Sequence, residues 1–184
     1  MISRHQPRRT IMDKQAPVRP DQVSGDIDQR ELRAIFGRFA TGVAVVTTNV
    51  GGELYGMTVN SFTSLSLDPP LVLFCVHSRS SFLAALDVGS AFTVNILSEQ
   101  QADISTLFAS GSDRFLKVNS LPGLGRSPVL TAALAYLTCE VVREVEAGDH
   151  AIVIGRVADI GLLHRDGAPL VFFGGAMRKL RSHR

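Results

Sequence analysis

The segment EVVREVEAGDHAIVIGRVADI, residues 140–160, decides the fold. Two long stretches rich in β-branched residues meet at Gly148-Asp149, which indicates two strands joined by a tight turn. Such a turn needs the glycine and tolerates the aspartate. It does not require His150, which opens the second strand. The segment therefore predicts an antiparallel hairpin and marks His150 as the first candidate for chemistry.

The rest of the chain continues this organisation. Further strands are predicted at residues 43–48, 53–60, 71–77, 91–97 and 168–175. Helices are predicted within 28–42, where Leu32, Ile35, Phe36 and Phe39 share one face, and within 80–89 and 98–110. Residues 110–135 form a long Gly-, Ser- and Pro-rich excursion. Hairpins rather than alternating βαβ units favour a mainly β, antiparallel barrel with peripheral helices.

Composition and charge limit the classes of function that the chain can have. The 184 residues, 45% hydrophobic and 20% charged, suit one globular domain. The net charge of +2 gathers at the ends, because residues 1–25 hold five basic and two acidic residues and residues 178–184 hold four basic ones. The body between them is acidic, which argues against nucleic-acid binding. No apolar run suits a membrane span. The unpaired Cys75 and Cys139, inside apolar stretches, indicate buried thiols and a cytoplasmic protein.

Several common chemistries lack their motifs in this sequence. No GxGxxG follows a strand, no GxxxxGK[ST] occurs, and no GxSxG elbow is present. His77, His150 and His164 stand alone, without HExxH spacing or cysteine pairs, so no metal site is predicted. Cys75 lies within a predicted strand and is interpreted as a structural thiol.

Two polar stretches are open to two interpretations. Residues 56–70, GMTVNSFTSLSLDPP, crowd short hydroxyl and amide side chains after a strand. They could bind a flat polar heterocycle, or they could simply connect two strands. Residues 77–81, HSRSS, place Ser80 and Ser81 beside Arg79 at the start of a helix. That arrangement suits a phosphate, and helix capping explains the serines equally well.

Five blocks in order resemble the flavin reductase-like family, the short-chain NAD(P)H:flavin reductases of two-component monooxygenases. They are RFATGVAVVTT, GMTVNSFTSLSLDPPLVLFCV, AFTVNILSEQQ, EVEAGDHAIVIGRV and APLVFFGG. The resemblance implies a flavin-binding split β-barrel, antiparallel and of Greek-key type, over residues 27–180. A disordered tail is then expected at residues 1–26 and a basic tail at residues 181–184. The resemblance also implies a homodimer with the flavin at its interface, which the apolar strands 43–48 and 71–76 suit.

The resemblance assigns roles to the residues noted above. It implies that His150 lies beside the nicotinamide or the flavin ring as the catalytic residue. The flavin contacts that it implies are Thr58, Val59, Asn60, Ser61, Phe62, Thr63, Ser64, Arg79, Ser80, Ser81, Gly148, Asp149 and Phe173. The expected activity is hydride transfer from NADH, or from NADPH, to FAD or FMN. Reduced flavin would then diffuse to a separate monooxygenase that acts on an aromatic compound.

Departures from the family pattern leave parts of this assignment open. Many relatives carry an Arg and a Tyr after the last strand, where this chain has Gly174 and Met177. The lost contact could come from Phe172, Phe173 or Arg178. Relatives often place a Thr after the paired serines, where Phe82 stands here. The lack of an arginine cluster favours NADH over NADPH. A non-catalytic flavin- or haem-binding module and an interaction protein without cofactor remain the alternatives.

Overall fold

The structure, a computed structural model, describes residues 27–180, so the tails predicted at 1–26 and 181–184 lie outside it. Its helices are α1 (Gln29–Phe36), α2 (Ser81–Ala84) and α3 (Ala102–Ser110), with short 3₁₀ turns at Arg114–Lys117 and Leu124–Arg126. The strands are β1 (Thr41–Gly42), β2 (Ala44–Val50), β3 (Glu53–Val59), β4 (Thr63–Leu67), β5 (Pro70–His77), β6 (Ala91–Ile96), β7 (Ser120–Pro122), β8 (Pro128–Leu130), β9 (Ala135–Ala147), β10 (His150–Leu162), β11 (Leu170–Phe173) and β12 (Ala176–Lys179).

A seven-stranded antiparallel sheet organises the chain, in the order β3-β2-β6-β9-β10-β5-β4. The predicted hairpin forms its longest pairing, because β9 and β10 run beside each other from the turn at Gly148 to the pair Leu162 and Ala135. Three short strands, β1, β11 and β12, form a second sheet. The edges of the large sheet are β3 and β4, and both lead into the site described below.

Two hydrophobic clusters lie on the two faces of β2. Ala44 and Val46 belong to the cluster around Phe74 and Phe92, whereas Val43 and Val45 face the cluster around Phe108. Residues 43–46 are buried on both faces, which is why they are all apolar and show no polar alternation. These side chains are covered within a single chain, so β2 does not offer the apolar interface surface that residues 43–48 were expected to supply.

A buried polar network ties the 110–135 excursion to the sheet. The Asn95 side chain donates to the Val45 carbonyl at 3.1 Å and accepts from the Leu130 amide at 2.7 Å. The Thr47 hydroxyl donates to the Pro128 carbonyl at 2.5 Å. Buried polar groups are costly unless they are paired, so these bonds fix the excursion as part of the domain.

The structure corrects several boundaries. Residues 63–67, interpreted from the sequence as a connection, form the edge strand β4, and β12 follows β11 across a two-glycine turn. Asp28 caps helix α1, since its carboxylate accepts from the Arg30 amide, and the helix ends at Phe36, before Gly42. The apolar residues of α1 and of the turn after it stay outside the core, since Ile35, Phe36 and Phe39 are 60%, 65% and 75% exposed. Within residues 27–180, no helix is long and apolar enough to cross a membrane.

Candidate functional site

The β9–β10 turn holds His150 against a second histidine. Gly148 adopts a φ of 65°, which a two-residue hairpin turn requires and glycine adopts without strain. His150 pairs with Ala147 across the hairpin and with His77, the last residue of β5, on its other side. The two imidazole rings meet edge to face, with centroids 5.2 Å apart and planes at 66°.

Hydrogen bonds indicate whether Nδ1 donates or accepts in each ring. The Asp149 carboxylate lies 2.7 Å from Nδ1 of His150, so this nitrogen carries a hydrogen. The Arg79 amide donates to Nδ1 of His77 at 3.1 Å, so that nitrogen must keep its lone pair. The hydrogen bond from His150 lowers the pKa of the Asp149 carboxyl. Asp149 is therefore an ionised acceptor at neutral pH.

The turn is also fixed to the segment that follows β5. Ser78 donates both its amide, at 2.9 Å, and its hydroxyl, at 3.0 Å, to the carbonyl oxygen of Asp149. The same segment continues into Arg79, Ser80 and Ser81. The predicted catalytic turn and the predicted phosphate segment thus form one connected unit.

Three clefts are lined by predicted site residues. The hairpin cleft, about 510 Å³, is lined by Ser78, Leu83, Glu144, Glu146, Gly148, His150 and Ala151. The α3 cleft, about 600 Å³, is lined by residues 54–58, 80–82, 108, 109, 111 and 113–116. The α1 cleft, about 870 Å³, is lined by Arg33, Phe36, Gly37, Phe39, Thr41, Gly42, Asn60, Ser61, Phe62, Thr63, Phe172 and Gly175. Segment 78–83 contributes lining residues to the first two clefts, and Thr58 and Asn60 line the second and the third.

The α3 cleft combines hydroxyl groups with aromatic and basic side chains. Thr58 donates its hydroxyl hydrogen to the Ser105 carbonyl at 2.6 Å, so towards a ligand this hydroxyl can only accept. The Ser80 oxygen accepts from the Phe82 amide at 3.2 Å, which leaves its hydrogen available for donation. Ser81 is exposed beside it, and its side chain makes no hydrogen bond to another described residue.

The excursion after α3 forms the far wall of the α3 cleft. Arg114 donates from Nη1 to the Gly56 carbonyl at 2.6 Å and from Nε to the Gly111 carbonyl at 3.0 Å. Phe115 packs edge to face on Phe108, with ring centroids 5.3 Å apart. The arginine thus fastens the excursion to β3 and sets the width of the cleft. The excursion was predicted as a whole, but neither Arg114 nor Phe115 was identified from the sequence.

The structure distributes the predicted contact residues unevenly. Thr58, Ser80 and Ser81 meet in the α3 cleft, whereas Asn60, Ser61, Phe62 and Thr63 line the α1 cleft and Gly148 and His150 line the hairpin cleft. The remaining predicted residues line none of the three clefts. They are Val59, Ser64, Arg79, Asp149 and Phe173.

Physical reasons account for these exceptions. The Val59 side chain is buried and belongs to the core. Ser64 and Arg79 are exposed, and Asp149 acts through its bond to His150. Phe172, not Phe173, lines the α1 cleft, because alternate residues of β11 face opposite sides. The Ser61 hydroxyl is engaged with Cys75, whose amide donates to it at 2.9 Å.

Three further residues of the site, Phe82, His77 and Ser78, were not among the predicted contacts. Phe82, which replaces a family threonine, is buried in the core and offers no hydroxyl. His77 and Ser78 contact the turn only because β5 and β10 pair, which a sequence pattern does not specify. The single useful signal was the histidine at position 77, at the end of a predicted strand beside a serine.

Comparison with known proteins agrees with this architecture. The model of the flavin reductase like domain matches residues 36–181. The chain is 37% identical over 155 residues to HsaB of Mycobacterium tuberculosis, named a flavin-dependent monooxygenase, reductase subunit, covering 83% of each chain. It is 45% identical over 132 residues to a Rhizobium meliloti protein named "Probable flavin reductase", covering 71% of this chain and 42% of that relative. This chain thus spans less than half the length of that second relative.

A solved structure extends the likeness to the fold. The Streptomyces globisporus NADH:FAD oxidoreductase SgcE6, in complex with NAD and FAD fragments, superposes with a TM-score of 0.79 at 38% identity. The alignment covers 84% of this chain and 93% of that chain. The antiparallel sheets, the peripheral helices and this structural likeness together place the domain in the split-barrel class. The chain belongs to the flavin reductase-like family.

Proposed function

We propose that the chain is an NAD(P)H:flavin oxidoreductase that reduces FAD or FMN with NADH. The observation that carries this proposal is the connection of the turn that holds His150, through the bonds of Ser78 to the Asp149 carbonyl, to the hydroxyl-bearing segment 79–81. The family supports the same activity, since SgcE6 is an NADH:FAD oxidoreductase and HsaB is a reductase subunit. Hydride transfer between two cofactors needs no protein nucleophile, and the described site offers binding and orientation rather than a nucleophile.

The available hydrogen-bonding groups fit a flavin. Asn60, Thr63 and Ser81 make no side-chain hydrogen bonds to other described residues, so each can bind the heteroatoms of the isoalloxazine or the phosphate. Thr58 can accept, and Ser80 can still donate. Arg79 is exposed beside the two serines and can pair with a phosphate. When bound, the flavin supplies the hydride-accepting chemistry of the reaction.

His150 has the role of an orienting group. Its Nδ1 is held by Asp149, so Nε2 is the ring nitrogen available to a ligand in the hairpin cleft. From there it can bond to the carboxamide of a nicotinamide or stabilise negative charge close to the ring. Correct placement of the two reacting rings lowers the entropic part of the activation barrier, a proximity effect.

The surroundings of His150 favour NADH. Glu144 and Glu146 line the hairpin cleft beside the imidazole. Their carboxylates would repel the additional 2′-phosphate of NADPH if it lay near this cleft. Arginine side chains line the α1 and α3 clefts but not the hairpin cleft. We therefore propose NADH as the preferred donor, as the sequence suggested.

The product is proposed to leave for a partner enzyme. Asn60 and Ser81, which would contact the flavin, are exposed in the single chain, an arrangement that suits moderate affinity and release. HsaB, a relative of this chain, is named as the reductase subunit of a flavin-dependent monooxygenase. We propose that reduced flavin passes by diffusion to a separate monooxygenase that acts on an aromatic compound.

A homodimer is proposed as the assembly. Phe36 and Phe39 line the α1 cleft and are largely exposed. The edge strand β4 begins at Thr63 on the same cleft, and its last residue, Leu67, is 94% exposed. Exposed apolar groups of this kind mark interaction surfaces. A second copy packed there would cover these side chains and complete the α1 cleft, with flavin contacts at the interface.

The proposed reductase activity is tested by mixing purified protein with NADH and either FMN or FAD. The absorbance of the reduced nicotinamide is then followed over time. We expect oxidation that saturates with added flavin, with a large loss in His150→Ala. His164→Ala is the matched control, because that imidazole lies outside the three clefts and bonds to the Thr131 carbonyl. Bound flavin without oxidation of NADH or NADPH would overturn the reductase and indicate a non-catalytic binding module instead.

A further inference from the structure

We infer that His77 is a positioning residue for His150, and that it fixes the plane of the catalytic imidazole through the contact between the two rings. This inference rests on the proposed function, because the proposed function gives His150 its orienting role. His77 lines none of the three clefts around the site. Any effect of its side chain on a bound ligand therefore passes through its neighbour.

The sheet itself sets the contact. His77 ends β5 and His150 begins β10, and the two residues lie directly opposite each other in the antiparallel ladder. Side chains in such positions share one face of the sheet and touch. The ring centroids are 5.2 Å apart in an edge-to-face arrangement, which is the favourable geometry for two aromatic rings.

His77 is itself held in place, which a positioning residue requires. Its Nδ1 accepts the Arg79 amide at 3.1 Å, and its carbonyl accepts the Ser80 amide at 2.8 Å. The ring is thus fixed within its own turn before it contacts His150. A ring held by the backbone presents a defined surface against which the second imidazole rests.

The other contacts of His150 do not prevent rotation of its imidazole ring. Asp149 holds Nδ1 of the ring, and Ser78 holds the backbone of the turn. Asp149 is the adjacent residue and its side chain is 80% exposed, so its carboxylate can follow the ring as the ring turns. The contact with His77 opposes that rotation. Small errors in the orientation of a group at the reacting centre reduce the rate strongly.

Two substitutions distinguish the contact that the His77 ring makes with His150 from the hydrogen bond that His77 accepts within its own turn. His77→Asn keeps a side-chain acceptor for the amide two residues ahead, as asparagine does in Asx turns, but removes the ring. His77→Phe keeps a ring that can pack edge to face on His150 but removes the acceptor. Each variant should be prepared in the native chain and also in the His150→Ala background.

Steady-state kinetics with NADH and saturating flavin test the inference. We expect His77→Asn to lower kcat about fivefold to twentyfold with the NADH KM little changed, and His77→Phe to stay within about threefold. In the His150→Ala background the effect of His77→Asn should disappear. An unchanged kcat in His77→Asn, an equal loss in both variants, a loss confined to KM or a loss that persists without His150 would overturn the inference.

Imidazole ¹H–¹⁵N spectra of the protein without cofactors provide a readout independent of turnover. We expect the His150 ring signals to shift or broaden in His77→Asn and to remain near their native positions in His77→Phe. Unchanged ring signals in His77→Asn would overturn the positioning role even in an active enzyme. Native protein that oxidises no NADH would instead contradict the proposed function, and the ring spectra would still decide the role of His77.

Discussion

Thr58 donates its hydroxyl hydrogen to the carbonyl oxygen of Ser105 across 2.6 Å and so joins β3 to α3 at the base of the α3 cleft. The bond connects residues 47 positions apart in the chain. It gives Thr58 two functions, because the same oxygen that anchors α3 retains lone pairs towards the cleft. If Thr58 contacts the flavin as proposed, we expect stability and flavin affinity to be coupled at this residue.

Thr58→Val should weaken both properties. The substitution keeps the shape of the side chain but leaves the Ser105 carbonyl without this donor, at a cost of about 1–2 kcal/mol in the free energy of unfolding. Flavin affinity should fall in parallel, as measured by fluorescence quenching. Thr63→Val is the matched control for stability, since Thr63 is exposed and its side chain makes no hydrogen bond to another described residue. Equal stability of the two variants in urea would contradict the proposed anchor.

Gly155→Ala should destabilise the sheet. A Cβ at this position of β10 would lie 2.6 Å from Cε1 of Phe92, whose ring is fully buried. Overpacking of this kind costs about 1–3 kcal/mol, because the ring and the backbone must move apart. Gly42→Ala is the matched control, since nothing lies within 4 Å of the place its added methyl group would take. Denaturant midpoints should drop for Gly155→Ala and stay within experimental error for Gly42→Ala.

The sequence predicted the fold well where local signals agree. The turn at Gly148-Asp149 and the flanking strands were confirmed, because turn chemistry and strand composition act over a few residues. The edge strand β4 was missed because residues 63–67 lie in a serine- and threonine-rich stretch that ends at Pro69-Pro70, which outweighed the strand-like alternation of serine and leucine. Helix α1 was correctly predicted as amphipathic, but a pattern cannot tell whether its apolar face meets the same chain or another surface.

The candidate site was predictable only in part. Residues 58–63 and 79–81 were singled out for their polar density, yet the structure divides them between two clefts. Arg114 reaches the Gly56 carbonyl from 58 positions away, and no spacing in the sequence encodes that contact. His77 is likewise brought to His150 by strand pairing. Contacts of this kind depend on the tertiary arrangement and not on local pattern.

Cys139 should resist alkylation in the folded protein. Burial raises the pKa of its thiol to about 12, and its side chain is inaccessible. At pH 8 only about one thiol in ten thousand would be ionised, and the thiolate is the reactive form. Mass spectrometry after iodoacetamide treatment should find Cys139 unmodified in the native protein and modified in denaturant. The half-buried Cys75 is the internal comparison. Rapid native labelling of Cys139 would contradict its burial.

Asp149 should contribute to stability at neutral pH and lose that contribution in acid. Its pKa is lowered in the folded state, chiefly by the hydrogen bond from His150. The contribution is therefore present above the range where an unfolded aspartate titrates and is lost as the pH falls through the lower folded value. Melting temperatures of native protein and Asp149→Asn should differ at neutral pH and converge in acid. Equal melting temperatures of the two proteins at neutral pH would contradict this contribution.

Leu67→Glu should dissociate the proposed homodimer. The leucine is almost fully exposed at the end of the edge strand β4, and a charge there would have to be desolvated on association. Val88→Glu is the matched control, because Val88 is 68% exposed in the turn that follows α2. Light scattering should give twice the chain mass for the native protein and for Val88→Glu, and a lower mass for Leu67→Glu. A native protein that is monomeric at micromolar concentration would exclude the dimer, and flavin binding would then have to be completed by one chain alone.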